Sequence, residues 1–165
     1  MPGLTFVTTD PGSPAAVATL WAYYDDIVVR YWGRAALPGE TDAAVVDEPS
    51  DDLQGDTGVL VLGMLHGVPV ACGGVRFVGD NVGELTRIYV APEARGTGAG
   101  TALIAHLEGL AADVGRSRLR LTVRSDLVEA RSLYVRAGYA EVAPFNSDPY
   151  AEHWFAKALN GPRPT

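Results

Sequence analysis

Three glycines spaced two residues apart, in Arg95-Gly96-Thr97-Gly98-Ala99-Gly100, constrain this chain more than any other sequence feature. They lie between a strand-like run at residues 84–90 and a helix-like run at residues 101–114. Glycine lets a backbone approach a ligand closely and turn several N–H groups into one concavity. A helix that begins there adds four unpaired amides and the positive end of its dipole. The junction therefore predicts a phosphate or pyrophosphate that is bound mainly by the main chain.

Two common glycine motifs do not match this loop. The phosphate loop of nucleotide hydrolases needs Lys and then Ser or Thr after its last glycine, whereas Thr101 and Ala102 follow Gly100. The dinucleotide-binding fingerprint needs a glycine where Thr101 stands, and an acidic residue about 20 positions further on. The strand predicted at residues 119–123 carries no acidic residue. Neither class of nucleotide site fits.

The loop has the form Arg-x-x-Gly-x-Gly after a strand that ends in Val-x-Pro, and it resembles motif A of the GNAT superfamily of coenzyme A-dependent N-acyltransferases. The run Ala-Cys-Gly-Gly-Val-Arg at residues 71–76 is similar to the strand before motif A in many small-molecule members. Downstream, Ala130, Leu133 and Tyr134, followed by Gly138-Tyr139, resemble motif B. These matches extend over about residues 59–159, in the family's order and spacing.

Hydrophobic periodicity and turn signals predict the elements of a mixed fold. Strands are expected at residues 4–8, 59–65, 70–78, 84–90, 119–123, 139–142 and 153–158, and helices from Pro14 onward and at 42–46, 101–114 and 126–137. The last helix has Asp126 as its predicted N-cap and Glu129 as its capping-box partner. The resemblance implies a GNAT-like α/β (mixed α+β) fold, in which a twisted, mostly antiparallel sheet of about seven strands contains a parallel, splayed pair of strands 4 and 5, with about four helices.

Composition limits the setting in which the chain works. Its 165 residues, 47% of them hydrophobic, suit one domain at residues 1–160, with a loose tail at residues 161–165. A net charge of −7 argues against nucleic acid as a partner. The one cysteine, Cys72, favours a reducing cytoplasm. No signal peptide is visible, and no apolar run reaches the ~20 residues needed to span a membrane.

The resemblance implies an enzyme that transfers an acetyl group from acetyl-CoA to the amine of a small molecule, by direct attack in a ternary complex and without a metal. It places the pantetheine arm in the gap between strands 4 and 5, where Ile88 and Val90 would offer main-chain hydrogen bonds. The coenzyme-binding residues carried over from the family are Ile88, Tyr89, Val90, Arg95, Gly96, Thr97, Gly98, Ala99, Gly100, Thr101 and Tyr134.

Two residues are candidates for proton transfer. Tyr134 matches the motif B tyrosine, which in many relatives protonates the coenzyme sulfur; the alternative is a core aromatic beside Leu133. Glu84 opens strand 4, where several relatives place a general base, and a primary amine with a pKa near 10 must lose a proton before it attacks. An ordinary strand-end carboxylate is the alternative for Glu84.

The acceptor pocket is implied by the fold, in which the first helices form its wall. Tyr24, Tyr31, Trp32 and Arg87 are the candidate acceptor-binding residues. Residues 40–56 carry seven acidic side chains and no Lys or Arg, so they either attract a cationic amine or form a solvated acidic loop.

Leu127 departs from the family, since many relatives have Asn or Gln there as a coenzyme contact; Arg124 or Ser125 could replace it. A coenzyme A-binding regulatory module without turnover and a protein or peptide N-acetyltransferase remain alternatives, and a homodimer is compatible with the resemblance.

Overall fold

A seven-stranded sheet with helices on both faces organises the structure, a computed structural model that describes residues 2–159. The strands are β1 (Leu4–Thr8), β2 (Gly58–Leu65), β3 (Val68–Val78), β4 (Val82–Val90), β5 (Arg118–Val123), β6 (Ala140–Val142) and β7 (His153–Ala158), in the order β1-β2-β3-β4-β5-β7-β6. All neighbouring strands are antiparallel except β4 and β5, which run parallel. The predicted fold class is therefore confirmed. The tail predicted at residues 161–165 lies outside the described residues.

Four helices accompany the sheet, at α1 (Pro14–Trp32), α2 (Glu40–Asp47), α3 (Ala99–Asp113) and α4 (Val128–Arg136). α1 begins where its capping signals predict. The Ser13 hydroxyl accepts a hydrogen bond from the amide of Ala16, and Pro14 occupies the first turn, where its missing N–H costs nothing. Gly33, in the left-handed conformation, ends the helix.

The start of α4 differs from the prediction. Leu127 is the N-cap residue and no side chain caps the helix. The predicted cap, Asp126, instead accepts two hydrogen bonds from the guanidinium of Arg124, and Glu129 forms an ion pair with Arg30 of α1. Both acidic residues bind an arginine and do not form the capping box, because a charge-assisted hydrogen bond is about twice as strong as a neutral one.

The two faces of the sheet carry separate hydrophobic clusters. α3 lies on one face, where Leu103, Ile104 and Leu107 are essentially inaccessible to solvent. α1 covers the other face through Ala16, Leu20 and Tyr24. Val114, which the periodicity assigned to the buried face of α3, is 57% exposed because the helix ends at the preceding residue.

β4 is irregular in two ways that shape the molecule around it. Opposite Gly73 of β3 it has two residues, Arg87 and Ile88, which form a bulge. A Cβ atom at Gly73 would lie 2.9 Å from the Cδ1 atoms of both Ile88 and Leu107, so a larger residue there would make these side chains shift. β4 also pairs with β5 only up to Glu84 and Arg120, and the two strands separate beyond that point.

Candidate active site

A cleft of about 860 Å³ opens where β4 and β5 separate. Its walls come from α1, α2 and the segment after it, the second half of β4, the end of β5 and one side of α4. A volume of this size holds a drug-sized molecule. The predicted site residues that line it are Glu84, Arg87, Ile88, Tyr134, Tyr24, Tyr31 and Trp32. Residues that the sequence placed together on chemical grounds thus share one cavity.

The glycine loop lies at the N-terminus of α3, outside the walls of the cleft. The helix begins at Ala99 and not at Thr101, because Gly98 adopts the left-handed conformation with φ +87° and serves as the N-cap. No side chain caps this end, and residues 95–98 are exposed. Gly100 falls in the first turn, where a Cβ atom would lie 3.0 Å from Cδ2 of Leu133 on α4. The loop therefore offers exposed amides and touches the helix that carries Tyr134.

Arg95 binds protein groups at the end of β4. Its Nε donates to the carbonyl of Val90 at 2.8 Å, and its guanidinium forms an ion pair with Asp26 of α1. The same guanidinium lies 5.9 Å from the ring centroid of Tyr89. Arg95 thus occupies one of the main-chain groups of Val90 that the sequence assigned to the coenzyme, and it fixes the loop against β4 and α1.

Tyr134 points from α4 into the cleft with only 6% of its surface exposed. Its ring makes an edge contact with Tyr139 at 6.1 Å between centroids. Burial, reinforced by the nearby Tyr23, raises the pKa of Tyr134 well above its usual range. Within residues 2–159, no protein group hydrogen bonds to its hydroxyl. The raised pKa keeps this phenol protonated at neutral pH, with its proton free for a ligand.

Glu84 stands at the point where the strands separate. Its Oε2 accepts from both Nε and Nη2 of Arg120, at 2.9 and 2.6 Å. The Arg120 guanidinium in turn lies 4.3 Å from the ring centroid of Phe145. The carboxylate therefore lines the cleft while one of its oxygens is committed to the last paired position of β4 and β5.

Arg87 is the feature that sequence reasoning described least well. It occupies the bulge with φ 57°, a left-handed conformation that is rare for a side chain of this kind, and it is 7% exposed. Its guanidinium donates to the Tyr24 and Ser50 hydroxyls and to the carbonyls of Glu48 and Pro49. The Tyr24 hydroxyl itself donates to the carbonyl of Glu48. Arg87 and Tyr24 thus use their polar groups to hold residues 48–50, and no local pattern in the sequence announces such a long-range network.

The model of the acetyltransferase (GNAT) family matches residues 21–139, which is most of the chain. The chain belongs to the GNAT family. No protein of curated function matches its sequence. The family resemblance that motifs A and B indicated is therefore confirmed.

Solved structures with the same GNAT fold cover almost the whole chain. A proposed acyl-CoA N-acyltransferase from Klebsiella pneumoniae is 25% identical, with a TM-score of 0.73 over 94% of this chain and 97% of its own. A GNAT-family acetyltransferase from Staphylococcus aureus is 12% identical, with a TM-score of 0.76 over 95% and 99%. A ribosomal-protein-S18-alanine N-acetyltransferase from Escherichia coli is 20% identical, with a TM-score of 0.63 over 98% and 96%. The last two show the shared fold alone.

Motif B of this chain differs from the usual GNAT pattern at Leu127. The Leu127 side chain lines the cleft and packs on the core. The two residues considered as replacements are engaged within the protein. Arg124 binds Asp126 and the carbonyl of Ile27, and the Ser125 hydroxyl hydrogen bonds to Nε2 of His153 at 3.0 Å. The structure thus gives Leu127 an apolar role at the cleft wall.

The remaining candidate groups do not add chemistry to the GNAT site. Burial raises the pKa of the Cys72 thiol to about 12, and its Sγ donates to the carbonyl of Arg87, so the thiol is inert at neutral pH. In the part of the chain that the structure describes, no group of three His, Cys, Asp or Glu side chains could hold a metal ion. Among residues 2–159, no helix combines the length and apolar character needed to cross a membrane.

Proposed function

We propose that the protein is an acetyl-CoA-dependent N-acetyltransferase that acts on a small amine by direct attack in a ternary complex. The observation that carries the proposal is the cleft between β4 and β5, with the unpartnered hydroxyl of Tyr134 in its wall and the glycine loop against the same helix. The catalytic unit in this proposal is a single domain at residues 1–160, working in the cytoplasm.

The residues of this chain fit acetyl-CoA as the acetyl donor. The amides of residues 95–101 would hold the pyrophosphate, at an uncapped helix N-terminus that suits anions and next to the exposed residues 95–98. The backbone of β4 beyond Glu84 is free of β5 and would accept the pantetheine arm as an added strand. Its main-chain partners would be Ile88 and the N–H of Val90, since the Val90 carbonyl accepts from Arg95. Bound there, acetyl-CoA supplies the thioester that the amine attacks, and Tyr134 supplies the proton for the departing sulfur.

Acetyl-CoA should raise the melting temperature of the protein, because a ligand that binds only the folded state stabilises it. At 100 times its dissociation constant the gain is about 2.7 kcal/mol, or roughly 5–10 °C for a chain of this size. Thermal unfolding with and without acetyl-CoA measures it. Acetyl-pantetheine, which lacks the pyrophosphate, is the matched control and should shift the melting temperature less. An unchanged melting temperature with millimolar acetyl-CoA would contradict the proposal.

Turnover distinguishes this proposal from a coenzyme A-binding module without activity. The presence of Leu127 where many relatives have Asn or Gln is the observation that favours such a module. A thiol-release assay with a panel of primary amines, polyamines, amino acids and peptides with free N-termini separates the candidates. Release with small amines supports the proposal. Release with peptides alone would favour protein N-acetylation, the activity in the name of the E. coli neighbour.

Glu84→Gln tests the general base that the sequence predicted. If Glu84 removes the proton from the amine, the variant should lose about 10²–10⁴-fold in rate at neutral pH and recover part of it at higher pH, where the amine is already neutral. The pH–rate profile of both proteins measures this. A loss that is the same at every pH would mean that Glu84 serves the Arg120 ion pair and not proton transfer.

A further inference from the structure

Most carboxylates in the cleft are already bound to the protein. Glu40 forms an ion pair with Arg34, Asp52 with Arg76 and Glu84 with Arg120. Asp148 accepts from the Thr122 hydroxyl and from the amide of Tyr150. Of the remaining cleft-lining acids in the described chain, Asp47 and Asp51 are exposed and Glu48 is half-buried. Glu48 is thus the sheltered carboxylate of the cleft that no cation or hydrogen-bond donor holds.

The backbone of Glu48 is fixed by two buried side chains. Its carbonyl accepts from the Tyr24 hydroxyl and from Nη2 of Arg87. Both side chains are less than 8% exposed, and both also bind Ser50. These contacts fix the backbone from which the Glu48 side chain extends, and a fixed backbone lowers the entropy cost of binding a charged nitrogen there.

The surroundings of Glu48 contain one feature that favours a bound cation, the end of α2, and one that opposes it, the Arg87 guanidinium. Glu48 is the C-cap residue of α2, so the negative end of that helix dipole lies beside it. Its charge also acts on the half-buried Tyr23, whose pKa burial raises to about 12, against the opposing effect of Arg87. Tyr23 and Arg87 are the titratable and charged groups that face Glu48 from α1 and β4. The Arg87 guanidinium donates to three hydroxyls and two carbonyls, and within residues 2–159 it forms no ion pair with the carboxylate of Glu48, although the two charges attract each other.

We propose that Glu48, and not Glu84, whose Oε2 is held by Arg120, binds the ammonium group of the acceptor and takes its proton before the amine attacks. This inference rests on the proposed function and assigns its acceptor to the class of protonated primary amines. The freed lone pair forms the N–C bond, the C–S bond breaks, and the sulfur takes the Tyr134 proton. The nitrogen then loses a second proton, which replaces through solvent the one that Tyr134 gave, and Glu48 returns its proton to water.

Glu48→Gln tests the assignment, with Asp51→Asn as the matched control because Asp51 lines the same cleft but is exposed. The probes are 2-phenylethylamine and its uncharged isostere 2-phenylethanol, whose binding to the coenzyme A-loaded protein is measured by calorimetry. The wild type and Asp51→Asn should prefer the amine by about 10- to 100-fold, the worth of a hydrogen bond between charged groups. Glu48→Gln should lose that preference while its affinity for coenzyme A is unchanged.

The outcomes separate this inference from the proposed function. A wild type that prefers the amine but never acetylates it, or any other amine, refutes the proposed function and leaves the Glu48 site standing. No preference in the wild type, or a preference that survives Glu48→Gln, overturns the assignment. If Glu48→Gln fails to fold, Glu48→Asp decides: it keeps the charge one methylene further back, so it should keep the preference and lose rate. Equal rates for Glu48→Asp and the wild type also overturn it.

Discussion

Tyr134→Phe is expected to lower kcat by about 10²–10⁴-fold while the affinity for acetyl-CoA changes little. The ring of Tyr134 is buried in the main hydrophobic cluster, and phenylalanine fills the same space. Only the hydroxyl is removed, and no group in residues 2–159 hydrogen bonds to it, so no hydrogen bond within the described protein is lost. Because burial raises the pKa of Tyr134, we also expect the wild type to show no loss of activity from tyrosine ionisation up to pH 10.

Tyr139→Phe is the matched control for this prediction. Tyr139 is as deeply buried, contacts the same ring, and donates its hydroxyl proton to Glu108 at 2.9 Å, away from the cleft. Its loss should cost stability, by about 1–3 kcal/mol, and leave kcat near that of the wild type. Steady-state kinetics and thermal unfolding of both variants give the comparison. If Tyr134→Phe turns over within threefold of the wild type at every pH, Tyr134 is a core aromatic and the thiolate leaves without it.

Gly98→Val should abolish measurable acetyl-CoA binding. Gly98 has φ +87° at the start of α3, a conformation that a β-branched residue strongly disfavours. Valine would therefore rebuild the turn that points the amides outward, and its side chain would stand where the pyrophosphate is expected. Gly100→Val should also lose binding, but through contact with Leu133, which disturbs the packing of α3 on α4.

A second glycine separates loss of the site from backbone strain. Gly79, in the turn between β3 and β4, also has a positive φ, of 57°, and open space around its Cα atom. Gly79→Val imposes comparable strain far from the phosphate loop, so it should lower the melting temperature and keep acetyl-CoA binding. Calorimetric titration of both variants measures the difference. Equal loss of binding in both would point to general unfolding and would remove the loop from the proposed site.

The sequence predicted the fold well because its signals are local. Alternating and helical hydrophobic periods and turn signals depend on residues close together in the chain, and the elements they predicted agree with the structure to within about two residues. Motif A is a backbone motif, in which Gly98 and Gly100 are needed for chain geometry, so the residues themselves reveal it. The family assignment followed from the same local patterns.

The hydrogen-bond and ion-pair partners of side chains could not be predicted from local patterns, because they depend on segments that meet only in the folded chain. Asp126 and Glu129 have the spacing of a capping box, yet each binds an arginine instead. Glu84 forms an ion pair with Arg120 because these two residues are the last that β4 and β5 place opposite each other. No spacing rule connects residues so distant in sequence.

The sequence by itself determined the GNAT sheet, the glycine turn before α3 and the tyrosine in motif B, since each depends on short runs of residues. Only the tertiary structure decided which charges in the cleft are free. Arg87 became a buried support because the bulge turns it toward residues 48–50. Within residues 2–159 the Glu48 carboxylate has no ion-pair partner, because Arg87 binds the Glu48 carbonyl instead. The position of an acidic residue in the sequence does not show whether its charge is free, because the cation that neutralises it can come from a distant part of the chain.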